Sequence, residues 1–168
     1  MTAKTRNPLA SGLLEVAEHL AQIRSRRIVE QAAFRRAISS AYYAAFHTLC
    51  QICAEGLGLW TSAPDDLEPI YRNLEHSKAR EVLSSAKARA LHEDIERIGD
   101  VLLELRRLRE NADYSQPGRF GATQRLLTRS ETQTLIALAE GAVLLLDGLP
   151  LDARRRLAVM LTVRSSRR

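Results

Sequence analysis

An apolar stripe that ends in an arginine constrains this chain more than any other feature. Leu91, Ile95, Ile98, Leu102 and Leu105 recur at alternating gaps of four and three, the spacing of one helix face. The next position on that face is Arg109. At about 100° per residue, the steps from Leu91 to Arg109 close roughly five whole turns. Arg109 should therefore point the same way as Leu91, into a core or an interface. Asp113 follows one turn later, within reach. A guanidinium on an apolar seam is costly unless paired. The stripe demands a long amphipathic helix and a partner for the charge that closes it.

The rest of the chain agrees with a helical reading. Of the 168 residues, 45% are hydrophobic and only 5% aromatic, and just five prolines and eight glycines interrupt them. That balance favours helices over sheets in one domain spanning 1–168. Apolar runs such as 142–146 are far short of the roughly 20 residues a spanning helix needs, so no membrane is expected. Lys4 and Arg6 are followed by no apolar block, which argues against a signal peptide and for a cytoplasmic location. The net charge of +5 rests on arginine, 22 of the 25 basic residues, the side chain best suited to bidentate contact with phosphate or carboxylate. Residues 164–168 read as a basic, disordered tail.

Breaks and caps divide the chain into an up-and-down bundle of four to five main helices. Asn7 and Pro8 read as an N-cap and first helical residue for a helix over 8–24. A long second helix is predicted over 28–55, stopped by Gly56 and Gly58, with Phe34, Ile38, Ala41, Ala45, Leu49 and Ile52 as its stripe. Small residues at 37, 41, 44 and 45 would let a partner helix approach closely. A loop with Trp60, Pro64 and Pro69 follows, then a weaker helix over 73–85 and a long one over 87–114. The segment 115–121 breaks the pattern. Thr128 with Glu131, or Ser130 with Gln133, forms a capping box for a helix to 146, and Asp152 caps a last one through 163.

On the second helix, Arg36, Ser39, Ser40, Tyr43 and His47 share a polar flank. Such a flank suits a phosphate or a base, and equally an interhelical hydrogen-bond network. Arg109 preceding Asp113 is the less favourable order for a helical ion pair, and the helix C-terminus disfavours Asp113. A network of Arg109, Asn111, Asp113 and Tyr114 with the Arg36, Tyr43 and His47 flank accounts for both. Cys50 and Cys53 lie deep in a helix without a second pair, so buried thiols are expected rather than zinc, and neither metal nor cofactor is implied.

Two segments together resemble the HEPN family of helical domains. One is Arg36-Ala37-Ile38-Ser39-Ser40-Ala41-Tyr42-Tyr43-Ala44-Ala45-Phe46-His47, and the other is Leu108-Arg109-Glu110-Asn111-Ala112-Asp113-Tyr114. The resemblance implies a HEPN-like bundle, a homodimer, and association with RNA or nucleotides. It also implies, for many members, metal-independent ribonuclease activity as a toxin beside a nucleotidyltransferase-like antitoxin. The arginine of the family's Arg/His site would be Arg109, and its histidine would stand at 114, 115 or 116. Tyr114, Ser115 and Gln116 occupy those positions.

That departure has a chemical cost. Metal-free RNA cleavage needs a group to take the 2′-hydroxyl proton and another to protonate the leaving oxygen, roles suited to histidine near neutral pH. Tyrosine, with a reference pKa near 10, is a poor base unless strongly perturbed. The expectation is a dimer that binds nucleic acid, a nucleotide or a protein partner around Arg109, with Arg36, Ser39, Tyr43, Asn111 and Asp113 as binding residues. The alternatives are a metal-independent endoribonuclease that recruits Tyr114 or His47, and a purely structural interaction module.

Overall fold

Asn7 turns the chain into its first helix, its side chain accepting from the Leu9 and Ala10 amides at 3.0 and 3.2 Å. In this computed structural model, which describes residues 5–61, 64–121 and 125–163, eight helices follow in order among the described residues. They are α1 (Pro8–Gln22), α2 (Arg27–Gly56), α3 (Pro64–Asn73), α4 (His76–Leu83), α5 (Ala86–Arg89), α6 (Asp94–Tyr114), α7 (Arg129–Gly148) and α8 (Leu151–Thr162). The protein is an all-α bundle. Among the described residues, no single helix is long and apolar enough to cross a membrane. The tail 164–168 lies outside the described residues.

The long helix α2 is the centre of the bundle, in contact with α1, α3, α6, α7 and α8. Its whole stripe is buried, and Ala37, Ala41, Ala44 and Ala45 are fully so, which brings neighbouring backbones close. A helix apolar on nearly every side belongs in a core. The main core runs from Ala10 to Leu161, and a smaller cluster of Phe34, Ile38, Leu108, Ala112 and Leu127 closes the end where α6 stops.

The ends of α2 and α7 carry clear punctuation. Past α2, Gly58 adopts φ 74°, Leu59 donates to the Ala54 carbonyl at 2.8 Å and Gly58 to that of Glu55 at 3.0 Å, a Schellman stop. Thr128 and Glu131 form the capping box of α7. At the far end, Gly56 lies directly beneath α8: a Cβ there would meet the Arg154 carbonyl oxygen at 2.6 Å. Arg154 itself donates to the Leu149 and Asp147 carbonyls, both at 2.7 Å, and pairs with Glu55.

Four sequence expectations need correction. The segment read as a loop around Pro64 and Pro69 is the helix α3, with Pro69 inside it. The weak helix over 73–85 contracts to α4. The helix over 87–114 is broken into α5 and α6, because Ser85 caps α5 and His92 Nδ1 accepts the Asp94 amide at 3.3 Å at the start of α6. Leu91 falls in that break, packed on the core, while Ile95, Ile98, Leu102 and Leu105 are buried on α6. Finally, Asp152 lies in the first turn of α8, and the N-cap position is Pro150, with no side-chain cap.

Candidate functional site

Arg109 emerges where the α6 stripe meets α2, its side chain only 12% exposed. Its guanidinium carbon lies 5.5 Å from the centre of the Tyr42 ring and 5.7 Å from that of Tyr43. Those are cation–π distances. Nη1 donates to Asp113 Oδ2 at 3.4 Å, while Nε is buried without a partner. Burial opposes the charge, but Tyr43, Tyr42 and Asp113 outweigh it and hold the Arg109 pKa above its usual value. The cation is kept, and it is incompletely satisfied.

Asp113 is the hub of the polar contacts. Its Oδ1 accepts from Ser39 Oγ at 2.7 Å and from Arg36 Nη1 at 3.3 Å. The α2 flank and the end of α6 thus meet through one carboxylate. Arg35, next to Arg36 but on another face, offsets the unfavourable helix end. It donates to the Ser115 carbonyl at 2.7 Å, to Gln116 at 2.8 Å and to Arg119 at 2.7 Å. With a longer contact to the Ala112 carbonyl at 3.5 Å, these bonds hold the segment that follows α6 against its C-terminal end.

Of the predicted site residues, Arg36, Ser39, Tyr43, Arg109 and Asp113 come together. Asn111 and Tyr114 line an open hollow of about 520 Å³ beside them, shared with Arg109, Glu110 and Ser115. Tyr114 is 79% exposed on its rim. His47 is not gathered in: its ring lies 5.5 Å from Tyr71 and 6.5 Å from Tyr43, and its Nδ1 is buried without a partner. Burial lowers its pKa.

The imidazole in electrostatic reach of Arg109 is that of His76, from α4. It packs 4.0 Å from the Phe46 ring, and its Nδ1 lies 2.5 Å from Tyr42 Oη. Burial, then the Arg109 and Arg106 cations, push the His76 pKa down, while Glu110 opposes them. Burial raises the Tyr42 pKa, against the same two arginines. The phenol therefore keeps its proton and the ring is neutral, and the two share one short hydrogen bond in which either Oη–H or Nδ1–H is the donor. Sequence reasoning missed His76 and Arg106. No local spacing marks His76, since only the packing of α4 against α6 brings its ring to Tyr42. Arg106, three residues before Arg109 on the same helix, was detectable as its neighbour.

Among the described residues, no group of three or more His, Cys, Asp or Glu side chains is placed to hold a metal ion. Cys50 and Cys53 are buried and unpaired, and burial pushes the Cys50 thiol up to about 12. No family model, no curated protein and no solved structure matches this chain. The site must be read from its own chemistry. A desolvated arginine between aromatic rings, with an open hollow beside it, can accept a phosphate or carboxylate oxygen.

Proposed function

We propose that this chain is a nucleic-acid-binding helical domain of the HEPN kind, in which Arg109 receives a backbone phosphate of single-stranded RNA. The observation that carries the reading is the unsatisfied guanidinium: a 12% exposed side chain with one ion pair at 3.4 Å and an unpartnered buried Nε. Buried charges are ordinarily paired and hydrogen-bonded on every polar atom. Nε itself is sealed from the hollow, so an incoming phosphate would bond the terminal end of the Arg109 guanidinium and offset its desolvation there, without disturbing Asp113, which Ser39 and Arg36 already hold. The exposed Tyr114 ring offers a stacking face for a base at the same hollow. The reading extends to a homodimer, acting in the cytoplasm, within a toxin–antitoxin system whose second protein is nucleotidyltransferase-like.

Fluorescence anisotropy with single-stranded RNA tests it. Binding should be strong at about 50 mM salt, fall steeply by about 200 mM, and weaken about tenfold or more in Arg109→Met. No binding by the wild-type chain at the lower salt sinks the proposal and favours the structural interaction module.

One observation favours a second reading, metal-independent ribonuclease activity. His76 presents a neutral imidazole whose Nδ1 is held by Tyr42, close enough to sense the Arg109 charge. Arg109 would stabilise charge on the reacting phosphate, His76 would take the 2′-hydroxyl proton on Nε2 in the tautomer whose Nδ1–H donates to Tyr42, and water would protonate the leaving 5′ oxygen. RNA cleavage in the presence of chelator, absent in both Arg109→Met and His76→Gln, is the required result. Intact RNA after prolonged incubation rules it out.

A further inference from the structure

A groove between α4 and α6 lies one turn along α6 from Arg109. Its mouth, about 570 Å³, is lined by Ser77, Arg80, Glu81, Ser84, Ser85 and Arg106. Its floor is a cavity of about 20 Å³ that again touches Arg80 and Arg106 and reaches Tyr42, Phe46 and His76. The floor has room for about one water, whereas the mouth is open to a larger ligand. Two arginines from different helices therefore face one another across a single depression.

Both guanidiniums keep donors for a ligand, although the Arg106 charge is shared with Glu110. Among the described residues, the exposed Arg80 guanidinium has no hydrogen-bond or ion-pair partner. Arg106 donates through Nε to Glu110 at 3.0 Å, which leaves its two terminal nitrogens uncommitted. Two of the serines are already occupied: Ser84 Oγ donates to the Arg80 carbonyl and Ser85 Oγ to that of Val82. Glu81 is the one anion on the rim. Arg106 and Arg109 stand three residues apart, neighbours on one helix face.

We propose that this groove is a second phosphate subsite, in which Arg80 and Arg106 clamp a phosphate of a single-stranded RNA whose neighbouring phosphate lies on Arg109. The proposal rests on the RNA-binding reading given above and adds a direction to it: the strand runs along α6 from the Tyr114 hollow towards α4. Phosphate contacts of this kind position a strand without reading its sequence. The neutral His76 ring and Tyr42 form the floor between the two subsites and add no charge of their own.

The test compares Arg80→Gln with the wild-type chain on two ligands, a dinucleotide carrying one phosphate and a single strand of about eight nucleotides. Arg80 is exposed, so the substitution leaves the fold intact. The longer strand should lose about three- to tenfold in affinity, and its salt slope should fall by about 0.7, the value of one released counterion on single strands. Dinucleotide binding should be unchanged. An unchanged slope and affinity on the longer strand overturn the second subsite while leaving the Arg109 reading intact. Equal losses on both ligands also overturn it, since they would report a diffuse field. Absence of wild-type binding to either RNA overturns both readings, and equally tight, Arg80-dependent binding of an oligoglutamate peptide replaces RNA with an acidic protein partner.

Discussion

Arg154 and Arg109 are both arginines drawn out of water, and they live in opposite conditions. Arg154, at the end of the bundle where α2, α7 and α8 converge, spends Nε and both terminal nitrogens on the Leu149 carbonyl, Glu55 and the Asp147 carbonyl. Arg109, packed midway along α2, has one ion pair at 3.4 Å, two aromatic faces and a buried Nε with nothing to bond. The first is saturated and ties helix ends together. The second has the desolvation without the full complement of partners. A buried arginine is thus no single kind of evidence: its count of satisfied donors separates a tie from a site.

Four experiments would break or sharpen that contrast. The largest effect is expected at Arg154. Arg154→Met frees the Leu149 and Asp147 carbonyls and leaves Glu55 with only Arg6 at 3.8 Å and Gln51 at 2.8 Å, and should cost about 3–5 kcal/mol in denaturant unfolding. A loss below about 1 kcal/mol would erase the distinction. Next comes Asp113→Asn, which keeps an acceptor for Ser39 but leaves Arg109 without its counter-charge. We expect a loss of about 1–3 kcal/mol in the same assay, and the contrast fails if Asp113→Asn is neutral.

Acid should act through the imidazoles. The pKa values of His47 and His76 are lowered in the folded chain, chiefly by burial and, at His76, also by Arg109 and Arg106. Their contribution to stability is therefore complete above the unfolded value of about 6.5 and declines as pH falls through the folded values. Melting temperature should drop as pH falls below about 6.5, and His76→Gln should flatten that drop. A melting temperature that rises over this window contradicts the placement of both rings. The smallest stability effect belongs to Arg109→Met. An apolar chain of similar length suits the seam between Tyr42 and Tyr43, so stability should change by less than about 1 kcal/mol. Its effect on RNA binding should instead be about tenfold or more, the worth of one charge-assisted contact. A large stability loss with unchanged binding would make Arg109 a tie like Arg154.

The parts of the molecule that were legible in the sequence are those set by local rules. Asn7 with Pro8, Thr128 with Glu131, and the glycine stop after α2 each depend on groups a few residues apart, and each has the expected geometry. Periodicity along α6 placed Ile95 to Leu105 in the core and Arg109 on the same seam. Reading failed where a neighbour outvoted local preference. Pro69 argued against a helix, yet the segment packs as α3 against α2. Within the continuous stripe from Leu91, nothing announced that the His92 ring would take the Asp94 amide and begin a new helix there. His76 is the clearest case. Its own surroundings in the chain offer no partner, and its bond to Tyr42 spans 34 residues of sequence.

Gly56 shows how little side chain the saturated end tolerates. With a hydrogen in place of a methyl group, α2 and α8 touch main chain to main chain, and a Cβ would sit 2.6 Å from the Arg154 carbonyl oxygen. Position 56 is in effect a spacer of zero thickness, and any other residue would be a shim driven between two helices. Because the carbonyl and the guanidinium belong to the same residue, the shim would shift the backbone and unseat the arginine in one movement. The register of α8 against the bundle is thereby set by an atom that is absent, and a change as slight as Gly56→Ala would be felt along the whole last helix.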